Sequence, residues 1–389
     1  MGELSHRERI EMALNHEEPD RVPIEFGGVN NTIYEKPFYW PISPKYGYSA
    51  LVNYLGFKDL SQPQMLPSNC VTLFDDRLLD RFGVDFVSYV MRAPRGQDKM
   101  LSDGTVVIAW GIKAKMVGYY WEIFDGPLRK PKITFKDIDS LETPDPEDPV
   151  ILENVRSEVK ELRRKTSRAI VGVPTMAENI FHHYSYLRGF SQMFIDMKKN
   201  PEIFRYLAST ILDIHGSIVE AFFSECGDYI DFALLGDDMG TQQAPFVSPE
   251  EYKIYMKPYH KGLIDRVKSV TDARIYFHSC GAVFPLIEHF IDIGVDVLNP
   301  IQPLAKGMDA EALKRTYGNR ITFCGGIDAQ KLLPNGTPQE IEAEVKRVIE
   351  ILGKNGGYIL APSHNLQGDV PPQNIVAMFD AALKYGKYR

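Results

Sequence analysis

The residues best equipped for chemistry are a histidine and a cysteine two apart, His278 and Cys280, in the run His278-Ser279-Cys280-Gly281. An imidazole nitrogen and a thiolate both ligate a borderline cation such as zinc, which requires at least one more protein ligand. His364, Asp237 and Asp238 are the side chains available for that place. The spacing by itself also suits a core histidine bonded to a neighbour beside a buried, apolar thiol. Asp237 and Asp238 are adjacent, so in extended chain they point to opposite sides. One can face a site as an acid while the other serves a helix N-terminus or a turn, and plain capping suits either. His364 is a base or a ligand next to Asn365 and Gln367, whose carboxamides can orient a substrate oxygen. Loop hydrogen bonding is the simpler alternative for that group.

Other polar groups carry less. Gly325-Gly326 lets backbone N–H groups approach a ligand closely, as in barrel phosphate sites. No Gly-x-Gly-x-x-Gly or phosphate-loop lysine accompanies it, so a tight turn is the better reading. His182-His183, with Tyr184 and Tyr186 after it and Glu178 before it, suits packing or loop roles more than the wall of an apolar pocket. A Gly-x-Ser-x-Gly elbow, a His-Glu-x-x-His helix and a Cys-x-x-Cys pair are all absent, which argues against serine hydrolases, zincins and zinc ribbons.

The chemically able residues share an address. They stand at the ends of short β-rich runs, at 21–26, 85–90, 168–173, 229–235, 273–278, 295–299, 320–324 and 357–361, each followed by a segment of helical period. Eight βα units predict an α/β fold, a closed (β/α)8 TIM barrel; a doubly wound open sheet is the alternative. In a barrel the carboxyl ends of the strands converge on one mouth, where sites are built. The helices carry start signals: Thr337-Pro338-Gln339-Glu340 and Ser248-Pro249-Glu250-Glu251 each offer an N-cap hydroxyl, a proline in the first turn and a reciprocal glutamate. We expect one barrel domain over 1–389, with an irregular lid-like segment at 29–70 and a β-hairpin insertion at 101–125. A Phe- and Tyr-rich stretch in each of these could roof a pocket for a flat substrate or fill a small core of its own.

Composition narrows the function. Of 389 residues, 44 are basic and 52 acidic, for a net charge of −8, and no basic stripe appears, which argues against nucleic-acid binding. No apolar run approaches the roughly 20 residues that span a bilayer, and the charged start lacks a signal core, so a cytoplasmic protein is expected. Cys70, Cys226, Cys280 and Cys324 are too dispersed for a disulfide framework and read as reduced thiols.

Several runs together resemble the uroporphyrinogen decarboxylase superfamily: Arg7-Glu8-Arg9-Ile10, Asn15-His16-Glu17-Glu18-Pro19-Asp20-Arg21-Val22-Pro23, His278-Ser279-Cys280-Gly281, Asn299-Pro300-Ile301-Gln302 and Phe323-Cys324-Gly325-Gly326-Ile327-Asp328. The resemblance covers nearly the whole chain and implies a (β/α)8 barrel. Decarboxylases of this superfamily carry Arg-Gln-Ala-Gly-Arg-Tyr near the start to grip substrate carboxylates. Here that region reads Ile24-Glu25-Phe26-Gly27-Gly28, without arginine and with a glutamate that would repel an octa-anionic porphyrinogen. The other branch it resembles is the cobalamin-dependent methyltransferases, both the methylcobalamin:coenzyme M enzymes and the first methyltransferase of anaerobic O-demethylases. The coenzyme M enzymes hold zinc by His-x-Cys and a further cysteine. His278 and Cys280 match that motif, while the third position is His364, a harder ligand better suited to an oxygen-bearing substrate than to a thiol.

The resemblance implies a methyltransferase that moves a methyl group from a small methylated donor, such as a methoxylated aromatic ether, to cob(I)alamin on a separate corrinoid protein. It implies zinc at His278, Cys280 and His364, chemistry by Asp237, Asp238, His278 and His364, and substrate contacts from Glu25, Glu178, Gln302, Asn365 and Gln367. The alternative is a decarboxylase of a small aromatic or carboxylated substrate. Barrels often self-associate, so a homodimer is also expected.

Overall fold

A computed structural model describes residues 4–26, 46–60, 64–66, 71–94, 99–117, 120–174, 177 and 179–388. Most of the expected lid at 29–70, together with Cys70 and Glu178, lies outside the described residues. Seven parallel strands form one curled sheet: β1 Phe86–Val90, β2 Ala169–Val173, β3 Phe232–Gly236, β4 Arg274–His278, β5 Val297–Ile301, β6 Thr322–Ile327 and β7 Tyr358–Pro362. They pair in chain order, with His278 in register with Gly236 on one side and Asn299 on the other. Both faces are covered, which is why β2, β3, β5, β6 and β7 are buried along their whole length. The outer layer includes α2 Val155–Lys165, α3 Phe181–Arg188, α4 Pro201–Cys226, α5 Lys257–Lys268, α6 Ile287–Asp292, α7 Ala310–Tyr317, α8 Pro338–Val348 and α9 Pro372–Tyr385. The two expected capping boxes are formed: Ser248 with Glu251 and Thr337 with Glu340.

The first expected strand, 21–26, is the exception. It makes only isolated bridges, Arg21 to Lys387 and Ile24 to Leu360. Yet it closes the barrel. Glu25 N–H donates to Leu360 O and Leu360 N–H to Pro23 O, both at 2.9 Å, while Asp85 N–H donates to Ile24 O at 2.8 Å on the other side. Two local features keep it from being a regular strand. Pro23 has no N–H to offer, and the N–H of Ile24 is taken by the Asp85 side chain at 2.7 Å. The segment is therefore an eighth stave made of a few backbone bonds.

The lower end is shut by helix α1, His6–Leu14, which puts Ile10 into the lumen among Phe86, Phe232 and Leu234. Asp85, fully buried, accepts from Arg9 Nη1 and His6 Nδ1 at 2.7 Å and from Arg21 Nη1 at 2.8 Å, and Arg9 Nε also reaches Asp20 at 2.7 Å. Burial alone would raise the Asp85 carboxyl pKa; the partners His6, Arg21 and Arg9 outweigh it and hold the pKa below the ordinary value. The 101–125 region holds most of a four-stranded antiparallel sheet, Lys99–Met100, Val106–Ile108, Ile112–Val117 and Tyr120–Asp125. Among the described residues no helix is long and apolar enough to cross a membrane.

Candidate metal and substrate site

The mouth is assembled from three strand ends. His278 closes β4, and its Nδ1 lies 2.8 Å from Asn299 Oδ1 on β5. An amide oxygen can only accept, so Nδ1 carries the proton and the Nε2 lone pair is turned toward Cys280 Sγ, 3.5 Å away. Cys280 sits on a loop fixed by two bonds: Cys280 N–H donates to Asp238 Oδ1 at 2.9 Å and Gly281 N–H to Gln302 Oε1 at 2.7 Å. Gly281 has φ of 92° and its backbone presses on that of Gly240, where a Cβ would come within 2.3 Å. Only glycine lets the two loops meet so closely. His364 follows β7, its ring centroid 6.2 Å from that of His278.

One donor atom from each of His278, Cys280 and His364 lies within 4.8 Å of the others. The electrostatics suit a cation. Burial, and then the Asp238 carboxylate, push the Cys280 thiol well above its ordinary pKa, so the thiolate needs a positive partner. Burial and the His278 ring lower His364 to about 4, which keeps it neutral and able to ligate. Two imidazoles and one thiol, with a carboxylate nearby, fit zinc with a position left open.

Beside this group is a cavity of about 530 Å³, lined by Gln242, Cys280, Gln302, Gln330, His364, Asn365, Gln367 and Asp369 among others. Gln302, Asn365 and Gln367 are thus brought together with two of the three candidate ligands.

Two expectations need correction, those for Asp237 and Glu25, while the two adjacent aspartates do divide between a helix N-terminus and the mouth. Asp237 is not an acid facing the mouth. Its carboxylate is fully buried and accepts the N–H groups of Ile180, Phe181 and His182, at 2.7, 2.6 and 2.8 Å, so it seats the first turn of α3. His182 Nδ1 at 3.1 Å and His260 Nε2 at 3.0 Å complete its shell. Burial would raise its pKa, but these two imidazoles press it far below the carboxylate range. Asp238 does face the mouth, with Oδ1 3.5 Å from His278 Nε2. It too is held ionised: burial is outweighed by the His278 and His182 rings and by the Cys280 N–H. Through its bond to the Cys280 N–H it positions the cysteine loop. Glu25 lines no part of the cavity. It is 1% exposed and lies in the barrel lumen, beside Tyr276 and Cys324.

Asn299, which orients His278, was visible in the sequence only as one polar strand end among several. The signal that singles it out is its register opposite His278. His182 was read as packing, yet it touches the Asp237–Asp238 pair and keeps 18% of its side chain exposed. The free thiols Cys226 and Cys324 are buried away from the cavity.

Comparison with known proteins agrees with this architecture. The uroporphyrinogen decarboxylase (URO-D) family profile matches residues 112–385. The uroporphyrinogen decarboxylase of Psychromonas ingrahamii is 26% identical over 277 residues, covering 68% of this chain and 73% of that one. The methylcobamide:CoM methyltransferase MtbA of Methanosarcina mazei is 26% identical over 178 residues, 43% of this chain and 50% of that one. A solved methyltransferase from Methanosarcina mazei superposes with a TM-score of 0.64 at 18% identity, covering 98% of this chain and 99% of its own, a likeness of fold. Since the family pattern spans the barrel strands from β2 to β7 and the helices between them, the chain belongs to the uroporphyrinogen decarboxylase family of enzymes.

Proposed function

We propose that this chain is a corrinoid-dependent methyltransferase, taking a methyl group from a small methylated donor to cob(I)alamin on a separate corrinoid protein. The donor we favour is a methoxylated aromatic ether. The observation that carries the reading is the meeting of His278, Cys280 and His364 within 4.8 Å at the edge of a cavity. Relatives of both kinds, decarboxylase and methyltransferase, match the chain. The site's chemistry favours the second, because a His, Cys, His donor set can hold a Lewis acid against the oxygen of a poor leaving group.

An aryl methyl ether resists cleavage because the departing phenolate is a reluctant leaving group. Zinc held by His278, Cys280 and His364 would supply Lewis acidity toward that oxygen. The chain's own groups do the rest. Asn299 fixes the His278 tautomer, and Asp238 and Gln302 fix the Cys280 loop. The carboxamides of Asn365, Gln367 and Gln302 orient the ring's oxygen substituents, leaving the methyl carbon open to in-line attack. The methyl–oxygen bond breaks with its electron pair kept on oxygen. Among the described residues the cavity wall carries Asp369 and no lysine or arginine, a poor host for a polycarboxylate.

The test is incubation of the purified protein with a reduced corrinoid carrier and a panel of methoxyarenes. Methylcobalamin, read by its absorbance, is the expected product. Carbon dioxide from a carboxylated substrate, with no methyl transfer, would overturn the reading in favour of a decarboxylase.

A further inference from the structure

The cavity beside His278, Cys280 and His364 is walled almost entirely by polar groups. Gln242, Gln302, Gln330, Asn365 and Gln367 bring five carboxamides to it, against Ala329 as the one aliphatic side chain among the described residues. Gln302 is 7% exposed and commits Oε1 to the Gly281 N–H at 2.7 Å, which leaves its amide N–H groups as donors. A carboxamide shut away from water without a partner costs free energy. The ether oxygen of a bare methoxybenzene can meet one such group; a ring that also carries a hydroxyl can meet several.

Among the described residues, Asp369 is the one carboxylate on that wall. It stands on the loop after β7 that also supplies His364, and the loop is fixed in place. Ser363 N–H donates to Ile327 O at 2.7 Å, Ala329 N–H to Ser363 Oγ at 3.1 Å and Val370 N–H to Gln367 O at 3.1 Å, with Leu366 and Val370 buried. The Asp369 side chain is exposed, and among the described residues it has no hydrogen bond or ion pair. Asp238, by contrast, is taken up by the Cys280 N–H. An ionised carboxylate only accepts, so its complement is an O–H or N–H donor, and a second carboxylate beside it is repelled.

We propose that Asp369 is a specificity-determining residue and that the methyl donor is a methoxylated phenol. The ring hydroxyl donates to the Asp369 carboxylate and accepts from a wall carboxamide, while a methoxybenzoate is turned away by like charge. The proposal rests on the reading of this chain as a methyltransferase acting on aryl ethers.

The test is calorimetric titration of the zinc-loaded protein with meta-methoxyphenol, meta-methoxybenzoate and methoxybenzene, followed by methylcobalamin formation from each with cob(I)alamin. Wild type should bind the phenol at least about tenfold more tightly than either of the others. Asp369→Asn should reduce the preference over the benzoate about tenfold, and Asp369→Lys should reverse it. In turnover the change should appear in KM and not in kcat, since the hydroxyl contact is the same before and during bond breaking. Wild type that binds phenol and benzoate equally overturns the proposal. So do variants that weaken all three ligands alike, the mark of a merely structural role, or that leave their ratios unchanged. Methyl transfer without this preference overturns the role of Asp369 alone. No methyl transfer from any of the three overturns the methyltransferase reading itself, and the titrations still decide on Asp369.

Discussion

The two ends of this barrel are both crowded with charge, and they use it in opposite ways. At the floor, Arg9, Arg21, His6 and Asp20 surround Asp85 or one another, and the ionic groups there are matched partner to partner. A hollow of about 1120 Å³ at that end, the larger of the two, is bounded by charges of both signs, such as Arg7 with Asp231 and Arg274 with Glu11. At the mouth the donors of His278, Cys280 and His364 instead converge on a common point beside a cavity. Saturated charge holds a fold together, whereas donor atoms aimed at one point make a place for a ligand. Cavity size alone would have chosen the wrong end.

If that contrast is right, the largest effect on stability belongs to the floor. Asp85→Ala leaves Arg21 without a carboxylate and Arg9 with Asp20 alone, and should cost about 3–5 kcal/mol in urea unfolding. The folded fraction should still bind zinc as wild type does; lost zinc affinity in that fraction would erase the division between the two ends.

Acid should reveal a second tier, apart from both ends. His215 on α4 is buried and its pKa is lowered to about 4, chiefly by burial. Between that value and the ordinary 6.5 the unfolded chain holds a proton that the folded chain lacks, so stability falls as pH drops through this window. The full loss is about 3 kcal/mol from this residue. Asp85 acts with the same sign in a lower window: with its folded pKa depressed, its contribution is lost only as pH falls through and below the ordinary carboxylate range. Chemical denaturation from pH 7 to 4.5 should therefore show a steady decline, made shallower in His215→Phe, the remainder belonging to His183 and His364, whose pKa values burial lowers in the same way. A flat profile in wild type would refute the assignment.

At the mouth, His278→Ala should weaken zinc binding by at least about a hundredfold while leaving urea unfolding of the zinc-free protein near that of wild type. Retained metal, measured by elemental analysis, would strike His278 from the ligands. The smallest effect belongs to neither end: Thr337→Ala removes the capping box of α8 and should cost about 1 kcal/mol with no change in zinc affinity.

Much of this was legible along the chain. The apolar runs that became β2 to β7 announced themselves, as did the Ser248 and Thr337 caps, because both signals are local and repeat with the period of their element. The polar strand ends at His278, Gln302 and His364 were legible for the same reason. Asp237 and Asp238 were not separable: alternation says that neighbours face apart, but which one meets α3 and which meets Cys280 depends on elements more than fifty residues upstream and forty downstream. Glu25 was misplaced because its segment carries a strand's composition while Pro23 and the Asp85 side chain interrupt its ladder.

What the chain alone determined is the alternation of strand and helix, the order of the staves and the kinds of side chain at their tips, since these follow from hydrophobic period and cap chemistry within about a dozen residues. Which tips share a point in space was decided only when the sheet curled shut. Closure joined Pro23 and Glu25 to Leu360 and Ile24 to Asp85, and the staggered register of parallel strands set His278 opposite Asn299. Curvature then brought His364 from three strands away to the imidazole and thiol it faces. Those pairings depend on long-range backbone bonds, and no local pattern of residues encodes them.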